Sequence, residues 1–183
     1  MHHLPNIICL ARMALIWPIV VTLNAGQAGV ALGLFVAAAV SDGVDGYLAK
    51  RFNWVSELGK ILDPLADKLL LVTVFVASTW LGLIPWWLTA AVVARDVLIG
   101  LGALTFRVWF GPLRGRPTLL SKVNTGAQLA YVMLVLLQAA AAVPPHELID
   151  AWGLITLATT VMSGLHYVLT FARRAWVEPA RSS

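Results

Sequence analysis

Charge is scarce in this chain, and so are the side chains that most often carry redox or metal chemistry. Only 12% of the 183 residues are charged, against about 25% in an ordinary soluble domain. The single cysteine, Cys9, excludes an internal disulfide and offers no metal-binding spacing; it reads as a small apolar residue in the first helix. Four histidines, His2, His3, His146 and His166, are scattered along the sequence. No internal repeat occurs, and no pair of interrupted helices in matching halves suggests a transporter. There is no basic stripe and no nucleic-acid-binding motif, so the net charge of +4 reads as membrane topology plus attraction to anionic headgroups.

What the chain has instead is apolar length, with 60% of its residues hydrophobic. Six stretches, 7–23, 30–50, 61–83, 85–106, 119–143 and 151–171, each reach the roughly 17–25 residues of a membrane-crossing helix. The expectation is an all-α integral membrane protein, a six-transmembrane-helix bundle forming one domain over 1–183, with no room for a separate soluble domain. Arg12 inside the first apolar run, and the lack of a secreted domain to export, argue against a signal peptide. Lysine and arginine concentrate on one side: Lys50, Arg51 and Lys60; Arg107, Arg114, Arg116 and Lys122; Arg173, Arg174 and Arg181. The other connections have none. By the positive-inside rule both termini and the connection between the second and third apolar runs should face the cytoplasm. Most of the eight tryptophans fall near helix ends, as in an interfacial belt; Trp17, mid-helix, is expected to pack.

Acid is concentrated as well. Asp42, Asp45, Asp63 and Asp67 fall at the edges of the second and third apolar runs, in "SDGVDGYLAKRFNWVSELGKILDPLADK". An aspartate at mid-bilayer costs about 2.5–3.5 kcal/mol even on the gentlest scale, so four suggest a task beyond packing. Their spacing supports one. Residues three or four apart share a helix face, and the pairs 42/45 and 63/67 do so on two helices joined by a short connection. Such carboxylates repel unless a cation sits among them. Oxygen-only donors favour hard ions such as Mg²⁺, Mn²⁺ or Ca²⁺, and two of them would suit a phosphoryl-type displacement. The bland alternative is four solvated interfacial acids, or pairs with Lys50, Arg51 and Lys68. Gly46 and Ala49 leave one side of helix 2 nearly bare, which admits a ligand or a neighbouring backbone.

Written out, Asp42-x-x-Asp45-Gly46-x-x-Ala49-Lys50, eight residues, Gly59, three residues, Asp63, three residues, Asp67 resembles the signature of the CDP-alcohol phosphatidyltransferases. That family has arginine where this chain has Lys50, and lysine keeps the charge while losing the bidentate fork. "LPNIICLAR" is similar to the family's opening P-N-x-x-T-x-x-R, with Cys9 in the threonine position. "LGKILDPLADKLLL", "LIPWWLTAAVVARDVLIG" and "SKVNTGAQL" look most like the family's CDP-diacylglycerol-using cardiolipin synthases. Arg95-Asp96 and the run from Ser121 to Thr125 side with them against the related phosphatidylglycerophosphate synthases. The phospholipase-D type of cardiolipin synthase needs paired H-x-K motifs, which are missing.

The resemblance implies an enzyme that transfers a phosphatidyl group from CDP-diacylglycerol to phosphatidylglycerol and releases CMP. It implies two divalent cations, Mg²⁺ or Mn²⁺, on Asp42, Asp45, Asp63 and Asp67. Asn6, Asp45, Gly46, Ala49, Lys50 and Gly59 would hold the CDP moiety, and Asp67 would also serve as general base on the acceptor hydroxyl. It implies a homodimer in the cytoplasmic membrane, with no nucleic-acid partner. The acceptor side is assigned to Arg95, Lys122 and Arg51. Adjacent helical positions do not share a face, so Arg95 is read as an ion pair to another helix or as a phosphate contact, not as a partner of Asp96. Ser121, Thr125 and Gln128 should share one face of the fifth helix, with Lys122 and Asn124 to its sides. His166 and Tyr167 are expected to pack. Two rival readings are a phosphatidylglycerophosphate synthase using sn-glycerol 3-phosphate and, more remotely, a divalent-cation carrier. The apolar far halves of helices 2 and 3 speak against the carrier.

Overall fold

The structure, a computed structural model, describes residues 4–52, 59–110 and 118–177, with side chains at 9–41, 43, 65–105 and 118–171. The described residues form six helices: α1 (Leu4–Asn24), α2 (Ala28–Phe52), α3 (Gly59–Trp80), α4 (Trp86–Phe110), α5 (Leu119–Ala141) and α6 (His146–Val177). Local chemistry sets several ends. Gly26 and Gly82, at φ of 72° and 73°, close α1 and α3 in left-handed turns that suit a residue without Cβ. At the first, Gln27 N–H donates to Thr22 C=O at 2.9 Å and Gly26 N–H to Leu23 C=O at 3.0 Å. The same pair of bonds recurs from Leu83 to Ser78 and from Gly82 to Thr79, so both helices end in a Schellman motif. Thr118 caps α5, its Oγ1 accepting from Ser121 N–H at 3.3 Å, and Glu147 sits in the first turn of α6, where the helix dipole favours an acid.

The expectation of six membrane-crossing helices is corrected here. Among the described residues three helices are long and apolar enough to cross: Trp86–Thr105, Leu119–Ala141 and His146–Phe171. The apolar parts of α1 and α2, Cys9–Asn24 and Ala28–Ser41, fall in the 10–17-residue range. The physical reason is the placement of charge. In α3 the charges Lys60, Asp63, Asp67 and Lys68 all fall within its 22 residues.

The chain divides into two compact units. The first, Met1–Pro85 with Val132–Ile149, packs α1 against both α2 and α3. Its core is Ile19 and Leu23 of α1, Ala31, Phe35 and Ala38 of α2, and Leu70, Val74 and Phe75 of α3. The second, Trp86–Tyr131 with Asp150–Ser183, buries Leu88, Val92 and Tyr131 and depends on glycine for close approach. A Cβ on Gly102 would lie 2.7 Å from the Phe171 ring, and one on Gly153 3.4 Å from the Tyr131 ring. Tyr167 packs against Phe171 with ring centroids 5.9 Å apart, as expected of a packing residue, whereas His166 is exposed. Trp17 is a second correction: it is 77% exposed, facing outward from α1 with no core to enter. Cys9 is buried.

Overfilling the contact beside Gly102 costs stability. Gly102→Leu is expected to destabilise the detergent-purified protein by about 1–3 kcal/mol in thermal unfolding. Adding Phe171→Ala should restore part of it, and Gly100→Leu, at an open position, should change little.

Candidate active site

The acidic residues belong to the end of α2 and the start of α3. Helical geometry puts Asp42 and Asp45 on one face and Asp63 and Asp67 on another, and both helices pack against α1. Gly59, expected just before α3, is its first residue. The side chains of Asn6, Asp42, Asp45, Ala49, Lys50, Arg51 and Asp63 lie outside the described residues, as does the surrounding of Gly46. Among the described residues no group of three metal-ligating side chains occurs, Asp67 being the one expected ligand whose side chain is described. The donor set itself, four carboxylates at helical spacings, has the hard-oxygen chemistry that suits Mg²⁺ or Mn²⁺.

Asp67 has a partner that sequence reasoning did not assign. Nη1 of Arg12 donates to its Oδ1 in a charge-assisted bond between α1 and α3. The Arg12 side chain is 1% exposed and that of Asp67 36%, so the acid reaches solvent while its cation is enclosed. The available signal was Arg12 itself, an arginine within an apolar run, where an ionisable residue is a functional hypothesis by default. Its partner, 55 positions away, carried no local signature.

Arg95 is the second buried arginine, 5% exposed, and it is fully occupied. Nη1 donates to Asp96 Oδ1 at 2.6 Å, Nη2 to Ser121 Oγ and Ser163 Oγ, each at 2.7 Å, and Nε to Ser163 Oγ at 3.3 Å. The pairing with Asp96 corrects the expectation drawn from helix faces: a long side chain can curl around its own backbone to a neighbour that a Cβ position rules out. Its stem passes over Gly164, where an added Cβ would lie 3.7 Å from Arg95 Cγ. One guanidinium therefore joins α4, α5 and α6.

Below it the α5–α6 contact continues as a polar seam. Thr160 and Thr159 donate to Asn124 Oδ1 at 2.9 and 3.0 Å, Gln128 Nε2 donates to Thr160 Oγ1 at 3.4 Å, and Thr156 donates to Ala127 C=O at 3.5 Å. The inward face of α5 is thus Ser121, Asn124 and Gln128. Thr125, expected on that face, is exposed and bonds its own helix at Ser121 C=O. Lys122 is exposed in the first turn of α5.

A family model described as CDP-alcohol phosphatidyltransferase matches residues 2–172. A Drosophila melanogaster protein named probable cardiolipin synthase (CMP-forming) is 32% identical over 91% of this chain and 56% of its own length. A cardiolipin synthase (CMP-forming) of Streptomyces coelicolor is 38% identical over 52% of this chain and 47% of its own. A CDP-diacylglycerol–glycerol-3-phosphate 3-phosphatidyltransferase of Bacillus subtilis is 32% identical over 91% of this chain and 94% of its own. The chain spans 56–61% of the length of the animal relatives it matches.

The Arg95 junction is testable by single-atom removal. Ser163→Ala takes away the acceptor of two guanidinium contacts and is expected to cost about 1–2 kcal/mol in thermal unfolding. Thr125→Ala, one turn from Ser121 but exposed, should stay within about 0.5 kcal/mol of wild type.

Proposed function

The chain belongs to the CDP-alcohol phosphatidyltransferase family, and from that premise we propose that it is a CMP-forming cardiolipin synthase. CDP-diacylglycerol is the donor, phosphatidylglycerol the acceptor, and cardiolipin and CMP the products. The observation that carries this reading is the pair of acidic helical faces, 42/45 and 63/67, on helices that share α1 as a packing partner. Four carboxylates with one purpose suit a donor whose diphosphate must be held by cations.

Family membership carries an expectation of divalent-cation dependence. In this reading Asp42, Asp45, Asp63 and Asp67 hold two ions, Mg²⁺ or Mn²⁺, which when bound would neutralise the diphosphate and the charge that develops on it. Lys50 adds a positive charge for the same anion, with Asn6, Asp45, Gly46, Ala49 and Gly59 shaping the CDP pocket. Asp67 accepts the proton of the acceptor hydroxyl, an otherwise poor nucleophile at pH 7. The freed oxygen attacks the phosphatidyl phosphorus, a new P–O bond forms, and the bond to the bridging oxygen breaks as CMP leaves with the electron pair. Lys122 and Arg51 serve the acceptor's phosphate, while Arg95 ties α4, α5 and α6 together. The basic residues orient the acidic helix ends and the C-terminal tail toward the cytoplasm, and the assembly is a homodimer.

A second reading keeps this chemistry and takes sn-glycerol 3-phosphate as acceptor. What favours it is the Bacillus subtilis relative, which this chain matches over 94% of that protein's length. Reconstituted protein given CDP-diacylglycerol and Mg²⁺ or Mn²⁺, with each acceptor offered separately, distinguishes the two by mass spectrometry of the lipid products. Cardiolipin formed only with phosphatidylglycerol is the expected result; phosphatidylglycerophosphate would replace the first reading with the second. Excess EDTA should abolish turnover. Asp67→Asn should lower kcat by about 10²–10⁴-fold with CDP-diacylglycerol binding retained, and Lys50→Arg should hold or raise activity by restoring the guanidinium fork.

A further inference from the structure

Asp67 has been given two tasks, metal ligand and base, and the structure adds a third claim on it. One of its oxygens, Oδ1, is held by Arg12. A carboxylate has two oxygens with about four lone-pair sites, so whatever Arg12 takes is withdrawn from the chemistry. Arg12 cannot easily relinquish it. At 1% exposure its charge has little access to water, so parting the pair is costly. Arg12 lies on α1 and Asp67 on α3, so the bond ties one helix to the other.

We propose that Arg12 is a positioning residue for Asp67: by binding Oδ1 from α1 it fixes the rotation of the carboxylate and commits that oxygen. The carboxylate of Asp67 is thereby held in one orientation while the pair is intact. The inference rests on the transferase reading. It has a consequence of opposite sign for two quantities that a packing role would move together. Arg12 brings a positive charge to the acidic cluster, so its removal favours cation binding, while the loosened carboxylate loses catalytic alignment, where misplacement by about 1 Å can cost 10²-fold.

The test compares full-length wild type, Arg12→Gln and Arg12→Lys in detergent. Three readings are taken: steady-state kinetics with the acceptor that wild type uses, Mn²⁺ binding by electron paramagnetic resonance, and thermal unfolding. Arg12→Gln is expected to lose about 10²-fold in kcat with KM for CDP-diacylglycerol within about twofold of wild type. It should bind Mn²⁺ at wild-type stoichiometry with equal or higher affinity. Arg12→Lys, which keeps the charge without the fork, should recover part of the kcat. Turnover of Arg12→Gln within about twofold of wild type overturns the proposal. So does a joint fall of kcat, Mn²⁺ binding and thermal stability in both variants, which makes Arg12 a packing element alone. Wild-type protein that binds Mn²⁺ yet forms no phosphatidyl product with either acceptor overturns the transferase reading, and the positioning role with it.

Discussion

An arginine that cannot reach water has to be answered within the protein, and two such residues govern this one. Taking an ion out of water costs several kcal/mol even after relaxation, and lipid offers nothing to offset it. Arg12 is answered across α1 and α3 by Asp67. Arg95 is answered by an acid on its own helix and by hydroxyls from α5 and α6. Each charge dictates the company of several helices, because only one arrangement of those helices supplies the acceptors it needs.

The two solutions differ in kind. Arg95 spends its donors on Asp96, Ser121 and Ser163, and beneath it the seam of Asn124, Gln128, Thr156 and Thr160 carries hydrogen bonding further along the α5–α6 contact. Hydrogen bonds of this sort between membrane helices are worth about 0.6 kcal/mol on average, so their value lies in register more than in strength. Arg12 instead meets an acid that is partly open to solvent. A junction among buried hydroxyls holds helices; a junction to a carboxylate also fixes how that carboxylate is turned.

The helices were legible because apolar length is a property of the local sequence. The fifth apolar stretch, 119–143, corresponds to α5 at Leu119–Ala141 and the second, 30–50, to α2 at Ala28–Phe52. Length overstated the spans, since 61–83 absorbs Asp63, Asp67 and Lys68. The candidate aspartates were legible because i+3 and i+4 spacing is local too. What could not be read is contact between distant positions: nothing near Arg12 names Asp67, and nothing near Ser163 names Arg95. Trp17 went astray for a related reason, since a tryptophan in the middle of an apolar helix looks the same in sequence whether it faces core or lipid. Asn124, placed to the side of α5, proved to be fully buried, because the inward direction of a helix is set by its neighbours.

The sixth helix carries a consequence of plain length. At 32 residues and 1.5 Å per residue it is about 48 Å long, whereas the oily layer it enters is about 30 Å thick. A rod that much longer than its slot either leans or stands proud. The apolar portion runs out at Phe171, and helix continues through Arg173 and Arg174 to Val177. The last turns thus run past the apolar stretch, so the helix is longer than the layer its apolar part can fill.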